Sequence, residues 1–90
     1  MSNKYWQSEL WGEHPADVFQ MRTGRKGFLF TVRIREFDRF DRKMLTQLIH
    51  PGGAKHSEHV FDLEDQSIED AVAFGFGHCA WLEEGATPRD

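Results

Sequence analysis

The stretch that most constrains this chain is residues 67–84, SIEDAVAFGFGHCAWLEE, which carries the spacing of one amphipathic helix. At about 100° per residue, Ile68, Ala71, Val72, Gly75, Phe76, Cys79 and Leu82 fall on a single stripe, the pattern of a helix lying on a core. Ser67 is placed to cap it, and Asp70 three residues later completes a capping-box pattern. Asp65, Glu69 and Asp70 put negative charge at the positive end of the helix dipole. Gly75 sits mid-stripe, where a missing side chain costs roughly 1 kcal/mol of helix propensity but lets another backbone approach closely. It marks the predicted point of nearest contact with a sheet.

That sheet is legible upstream. Phe28, Phe30, Val32 and Ile34 alternate with Leu29, Thr31, Arg33 and Arg35, giving a strand with one apolar face and one that turns cationic. DVFQMR, from Asp17 to Arg22, alternates loosely as a partner, and TGRKG between them has two glycines at hairpin spacing. Residues 38–50 read two ways. As a helix, Phe37, Phe40, Met44, Leu45, Leu48 and Ile49 make a stripe capped by Asp38; as a strand, residues 44–50 pair with residues 59–63 after a turn at DRFD. Pro51-Gly52-Gly53 ahead of the β-prone HVFDL favours the hairpin. The expected fold is therefore α+β, a four-stranded antiparallel sheet over residues 17–63 with the C-terminal helix packed on one face.

Ninety residues suit a single domain. Around its sheet and helix the chain has an aromatic N-terminal arm, residues 1–14 with Tyr5, Trp6, Leu10 and Trp11, and a tail at residues 85–90. The single cysteine excludes an internal disulfide and reads as a small buried hydrophobe in a reducing compartment. No leader pattern opens the chain and no long apolar run interrupts it, so a cytoplasmic protein without membrane contact is expected.

Catalytic and metal signatures are weak. His50, His56 and His59 fall close together and His78 adjoins Cys79, but His56-x-x-His59 has no partner pair, and solvated loop histidines explain the group without a metal. No serine sits in a Gly-x-Ser-x-Gly turn, Ser67 is better explained by capping, and the adjacent acids Glu64–Asp65 and Glu83–Glu84 diverge on any regular element. TGRKG lacks phosphate-loop spacing and precedes a strand. A non-enzymatic protein without cofactor or metal is expected, with a small metal- or thiol-dependent enzyme as one alternative.

Charge and aromatic surplus are more informative. The net charge is −4, yet bases dominate residues 22–43 and acids dominate from Glu58 onward. A basic strand face using Arg33, Arg35, Arg39 and Arg42 could follow a nucleic-acid backbone, although Phe28 and Phe30 project to the opposite side and the chain as a whole is acidic. Phe74, His78 and Trp81 form a second line on the helix and widen its apolar arc to about 220°, where a sheet-packed helix needs little more than about 100°. Either the N-terminal arm folds over that flank, or a partner protein or a second copy does. The acidic half points to a partner with a basic surface, met by Asp62, Glu64, Asp65, Glu69 and Asp70 as electrostatic contacts and by Phe74 and Trp81 as anchors, with Asp70, Glu83 and Glu84 as an acidic rim.

In its small size, acidity and lack of catalytic motifs the chain resembles the small phage-encoded inhibitors of bacterial defence, including anti-CRISPR proteins. The resemblance implies binding to a nucleoprotein effector, such as a CRISPR complex, and blocking its access to nucleic acid or its nuclease.

Overall fold

The computed structural model describes residues 17–38 and 41–87. Four strands, β1 (Val18–Thr23), β2 (Leu29–Asp38), β3 (Asp41–Ile49) and β4 (Lys55–Leu63), are followed by one helix, α1 (Ile68–Glu84). The strands pair antiparallel in the order β1-β2-β3-β4, a meander, and α1 crosses the face of β2 and β3. This is the α+β architecture expected of the sequence; the N-terminal arm lies outside the described residues.

Glycine sets both hairpins that flank the central strands. Gly27 (φ +90°) and Gly53 (φ +110°) occupy left-handed backbone that other residues avoid. Gly24 N–H donates to Phe28 O at 2.8 Å across the first turn, and His50 N–H donates to Ala54 O at 2.8 Å across the second. β2 pairs Ile34 with Met44, Val32 with Thr46 and Phe30 with Leu48, and those side chains face α1. The core is Phe28, Phe30, Val32, Ile34, Met44, Leu48 and Leu63 from the sheet, closed by Ala71, Val72, Phe76 and Cys79 from α1.

Residues 41–49 are a strand, and the helical alternative falls for a physical reason. Met44 and Leu48 face α1 while Leu45, paired with Arg33 and Val60, is fully buried on the opposite face, so this central strand has apolar residues on both sides. β3 and β4 also run further than the expected residues 44–50 and 59–63. Their extensions are held by polar cross-strand contacts, with Lys43 against Asp62 and Gln47 Nε2 donating to Glu58 Oε1 at 3.2 Å.

The helix follows its reading with one departure. Ser67 Oγ accepts from Asp70 N–H at 3.1 Å, which is the expected N-cap. A Cβ on Gly75 would lie 3.0 Å from Val32 Cγ2, 3.1 Å from Met44 Sδ and 3.2 Å from Thr46 Cγ2, so Gly75 marks the close approach of helix and sheet. Ile68, expected in the core stripe, is 40% exposed. It opens the first turn and lines the groove over β1 instead.

Candidate functional site

The aromatic line on α1 is real and is extended by the sheet. β4 register places His59 opposite Thr46 and Phe61 opposite Met44, so both project to the helix side. There the Phe61 ring meets Phe74 at 5.2 Å and His78 at 5.2 Å, both edge-on. His78 in turn stands 4.8 Å from His59, 6.3 Å from Phe74 and 6.0 Å from Trp81. Phe74 is 56% exposed and Trp81 68% exposed, so the described residues leave the outer side of both open to solvent. Asp70, Phe74, His78 and Trp81 repeat at helical spacing along one flank of α1. Phe61 and His59 are the members that sequence reasoning missed; the alternation His59, Phe61, Leu63 in β4 was the signal that could have found them.

His78 is the titratable centre of this cluster. Burial and the nearby His59 hold its pKa below the ordinary histidine value, and its Nε2 is buried without a hydrogen-bond partner among the described residues. Neutral imidazole is thus the form that fits between the rings.

The acidic candidates divide. Glu64 and Asp65 lie in the bend between β4 and α1, Glu69 and Asp70 lie in the first turn of α1, and all four are exposed. Among the described residues no cation pairs with them. Asp62 belongs elsewhere: it faces away from α1 and is ion-paired to Lys43, which also meets Asp41 at 2.9 Å. Burial opposes the Lys43 ammonium, but hydrogen bonds and charge from Asp62 and Asp41 outweigh it and lift its pKa above the usual lysine value. Glu83 is a correction to the expected acidic rim. It is only 3% exposed, and its carboxylate accepts from the backbone N–H groups of Arg25 (3.1 Å), Lys26 (2.9 Å) and Phe28 (3.3 Å). Lys26 Nζ completes the latch by donating to Glu84 O at 2.9 Å and Ala86 O at 3.0 Å, capping the helix C-terminus. The TGRKG turn therefore receives a carboxylate from its own chain.

The cationic candidates do not share a surface. Arg33 and Arg35 are half-buried on the sheet face away from α1, with the Arg33 guanidinium 4.8 Å over the Phe19 ring. Arg42, paired with Leu63 on the helix side, donates to Glu64 O at 3.4 Å and Gln66 O at 3.1 Å. Arg39 lies outside the described residues.

The histidine group also separates. His50 and His56 stand 5.1 Å apart at the β3–β4 turn, against Phe28, while His59 is with His78 under α1. These rings pack on aromatic neighbours, and His56 and His59, although exposed, lie in β4 rather than in a loop. Among the described residues no group of three or more His, Cys, Asp or Glu side chains could hold a metal. Cys79 is buried, its Sγ 3.6 Å from Gln47 O, and burial pushes its pKa up to about 11 despite a hydrogen bond involving Thr46. Among the described residues no helix is long and apolar enough to cross a membrane. Comparison with known families, curated proteins and solved structures finds no match, so what can be said of function rests on the placement of this chain's own side chains.

Proposed function

We propose that this chain is a non-enzymatic, cytoplasmic protein-binding module, an inhibitor that docks its acidic and aromatic corner on the basic surface of a nucleic-acid-handling partner such as a CRISPR effector complex. The observation that carries this reading is the line Asp70, Phe74 and Trp81 along one flank of α1, with both rings more than half exposed, together with the exposed acids Glu64, Asp65 and Glu69 around the start of that helix. Large aromatic rings supply affinity once desolvated, and clustered carboxylates steer the approach to lysines and arginines. Asp62, paired with Lys43, contributes little to that field. The direct nucleic-acid reading is supported less well, because Arg33 and Arg35 lie on the opposite sheet face from Arg42. A thiol enzyme would need a thiolate that Cys79, at about 11, does not supply near neutrality.

The test is target-DNA binding by purified CRISPR effector complexes titrated with the wild-type chain and with a variant carrying Lys at positions 64, 65, 69 and 70. Wild type is expected to block one effector and the variant to leave it active. Inhibition of none, or equal inhibition by both, ends the reading.

A further inference from the structure

The two edges of the sheet are finished differently. Along β4, pairing slips between Leu48 and Ile49, and Lys55, Glu58 and Asp62 place charge along the strand. Bulges and edge charges are the usual means of preventing strand addition. β1 has neither. Its sequence VFQMRT holds one charge, Arg22, whose guanidinium is turned 4.3 Å over the Phe76 ring on the helix side. Among the described residues nothing pairs with the outer edge of β1. Phe19 is 48% and Met21 58% exposed on the face away from α1.

The ladder fixes which amides face outward. Gly24 N–H bonds inward to Phe28 O, in the register that pairs Arg22 with Phe30 and Gln20 with Val32. Inward bonding alternates along an antiparallel strand, so Phe19, Met21 and Thr23 present their N–H and C=O groups to the open edge.

We propose that β1 pairs antiparallel with β1 of a second copy of this chain, Phe19 opposite Met21 of that copy, joining the two four-stranded sheets into one. The occupant follows from the strand's self-complementarity. In this register the outward amides of Phe19 and Met21 bond each other twice, and the exposed ring meets the exposed thioether twice on one sheet face. Asp17 stays with its own sheet, its N–H donating to Ile34 O at 2.8 Å and its carboxylate accepting from Glu36 N–H at 2.8 Å, so the register is set by residues 19–21. Parallel pairing would forfeit that reciprocal contact of ring and thioether. Because β4 is the other edge, the dimer displays the Phe74 and Trp81 flank on both outer sides.

Sedimentation of the full 90-residue chain is expected to give twice the monomer mass. Met21→Pro removes an outward N–H without touching an inward bond, and the two bonds lost per dimer weaken association about 100-fold. Circular dichroism confirms that the variant is folded. If it is not, Gln20→Cys serves: Gln20 faces its own copy across the two-fold axis at a non-hydrogen-bonded position with Cα atoms about 4.5 Å apart, within disulfide reach. Oxidised Gln20→Cys is expected to run as a covalent dimer, and Thr23→Cys is not. A monomeric wild type, or equal cross-linking at positions 20 and 23, overturns the proposal. So does a wild-type dimer that resists Met21→Pro and leaves Gln20→Cys uncross-linked, which would place the contact elsewhere, such as at Phe74 and Trp81.

Discussion

The two ends of α1 carry the same chemistry put to opposite uses. At the C-terminal end, the Glu83 carboxylate is buried and receives three backbone N–H groups of the β1–β2 turn, a contact spanning 55 to 58 residues of sequence. At the N-terminal end, Glu64, Asp65, Glu69 and Asp70 remain in solvent, and only Asp70 takes part in the cap, through its amide rather than its carboxylate. A carboxylate that satisfies buried amides is committed to the fold; one in solvent without an ion pair is left to act on something else. Position on the helix separates the two cases, since residue 83 sits over the β1–β2 turn while residues 64, 65, 69 and 70 lie in the bend before the helix and in its first turn, where they are exposed.

The contrast is sharpest in stability. Glu83→Ala leaves three amides facing a vacated site and is expected to cost about 3 kcal/mol in urea denaturation, with Glu83→Gln costing roughly half because its carbonyl still accepts. A loss under about 0.5 kcal/mol for Glu83→Ala would place Glu83 with the solvent-facing acids and erase the distinction. Between the ends, Gly75→Val drives a branched side chain against Val32, Met44 and Thr46. Its expected cost is about 2 kcal/mol of overpacking by the same measurement. At the open end, Ser67→Ala removes the cap to Asp70 N–H, a loss of about 1 kcal/mol.

A smaller effect is expected from pH. Because the folded pKa of His78 lies below its unfolded value near 6.5, the unfolded chain binds the proton more readily. The contribution of His78 is therefore complete above the unfolded value and is lost as pH falls from there through the lower folded pKa. Denaturation midpoints should drop on acidification toward pH 5, and His78→Phe should flatten that part of the profile. An unchanged slope would remove His78 as the titrating group.

The sheet-facing features were legible because they are local and periodic. Phe28, Phe30, Val32 and Ile34 alternate as a one-sided strand must, and Ser67, Asp70 and Gly75 announce a cap and a close approach within a few turns of helix. Residues 41–49 resisted because Leu45 is buried on one face and Met44 and Leu48 on the other, which removes the period that distinguishes strand from helix. Glu83 resisted for another reason: nothing in its neighbourhood indicates that a turn far upstream will present three amides to it. Arg42 is similar, since its Glu64 and Gln66 carbonyl partners come together only once β4 has returned beside β3. Of the partner-binding candidates, Asp70, Phe74 and Trp81 share one flank of α1, Glu64 and Asp65 lie in the bend before it, Glu69 turns to the groove over β1, and Asp62 goes to the opposite sheet face.

The most direct measurement takes Trp81→Ala and the wild type through two assays together, urea denaturation and inhibition of the effector that the wild type blocks. Trp81 is 68% exposed and meets His78 at the periphery of the cluster, so stability should change by less than about 0.5 kcal/mol. The concentration needed for inhibition should rise by about 30-fold or more, the loss of a binding anchor. Inhibition at unchanged concentration, or a fall in stability large enough to explain its loss, would contradict the claim that this corner of the molecule is built for a partner.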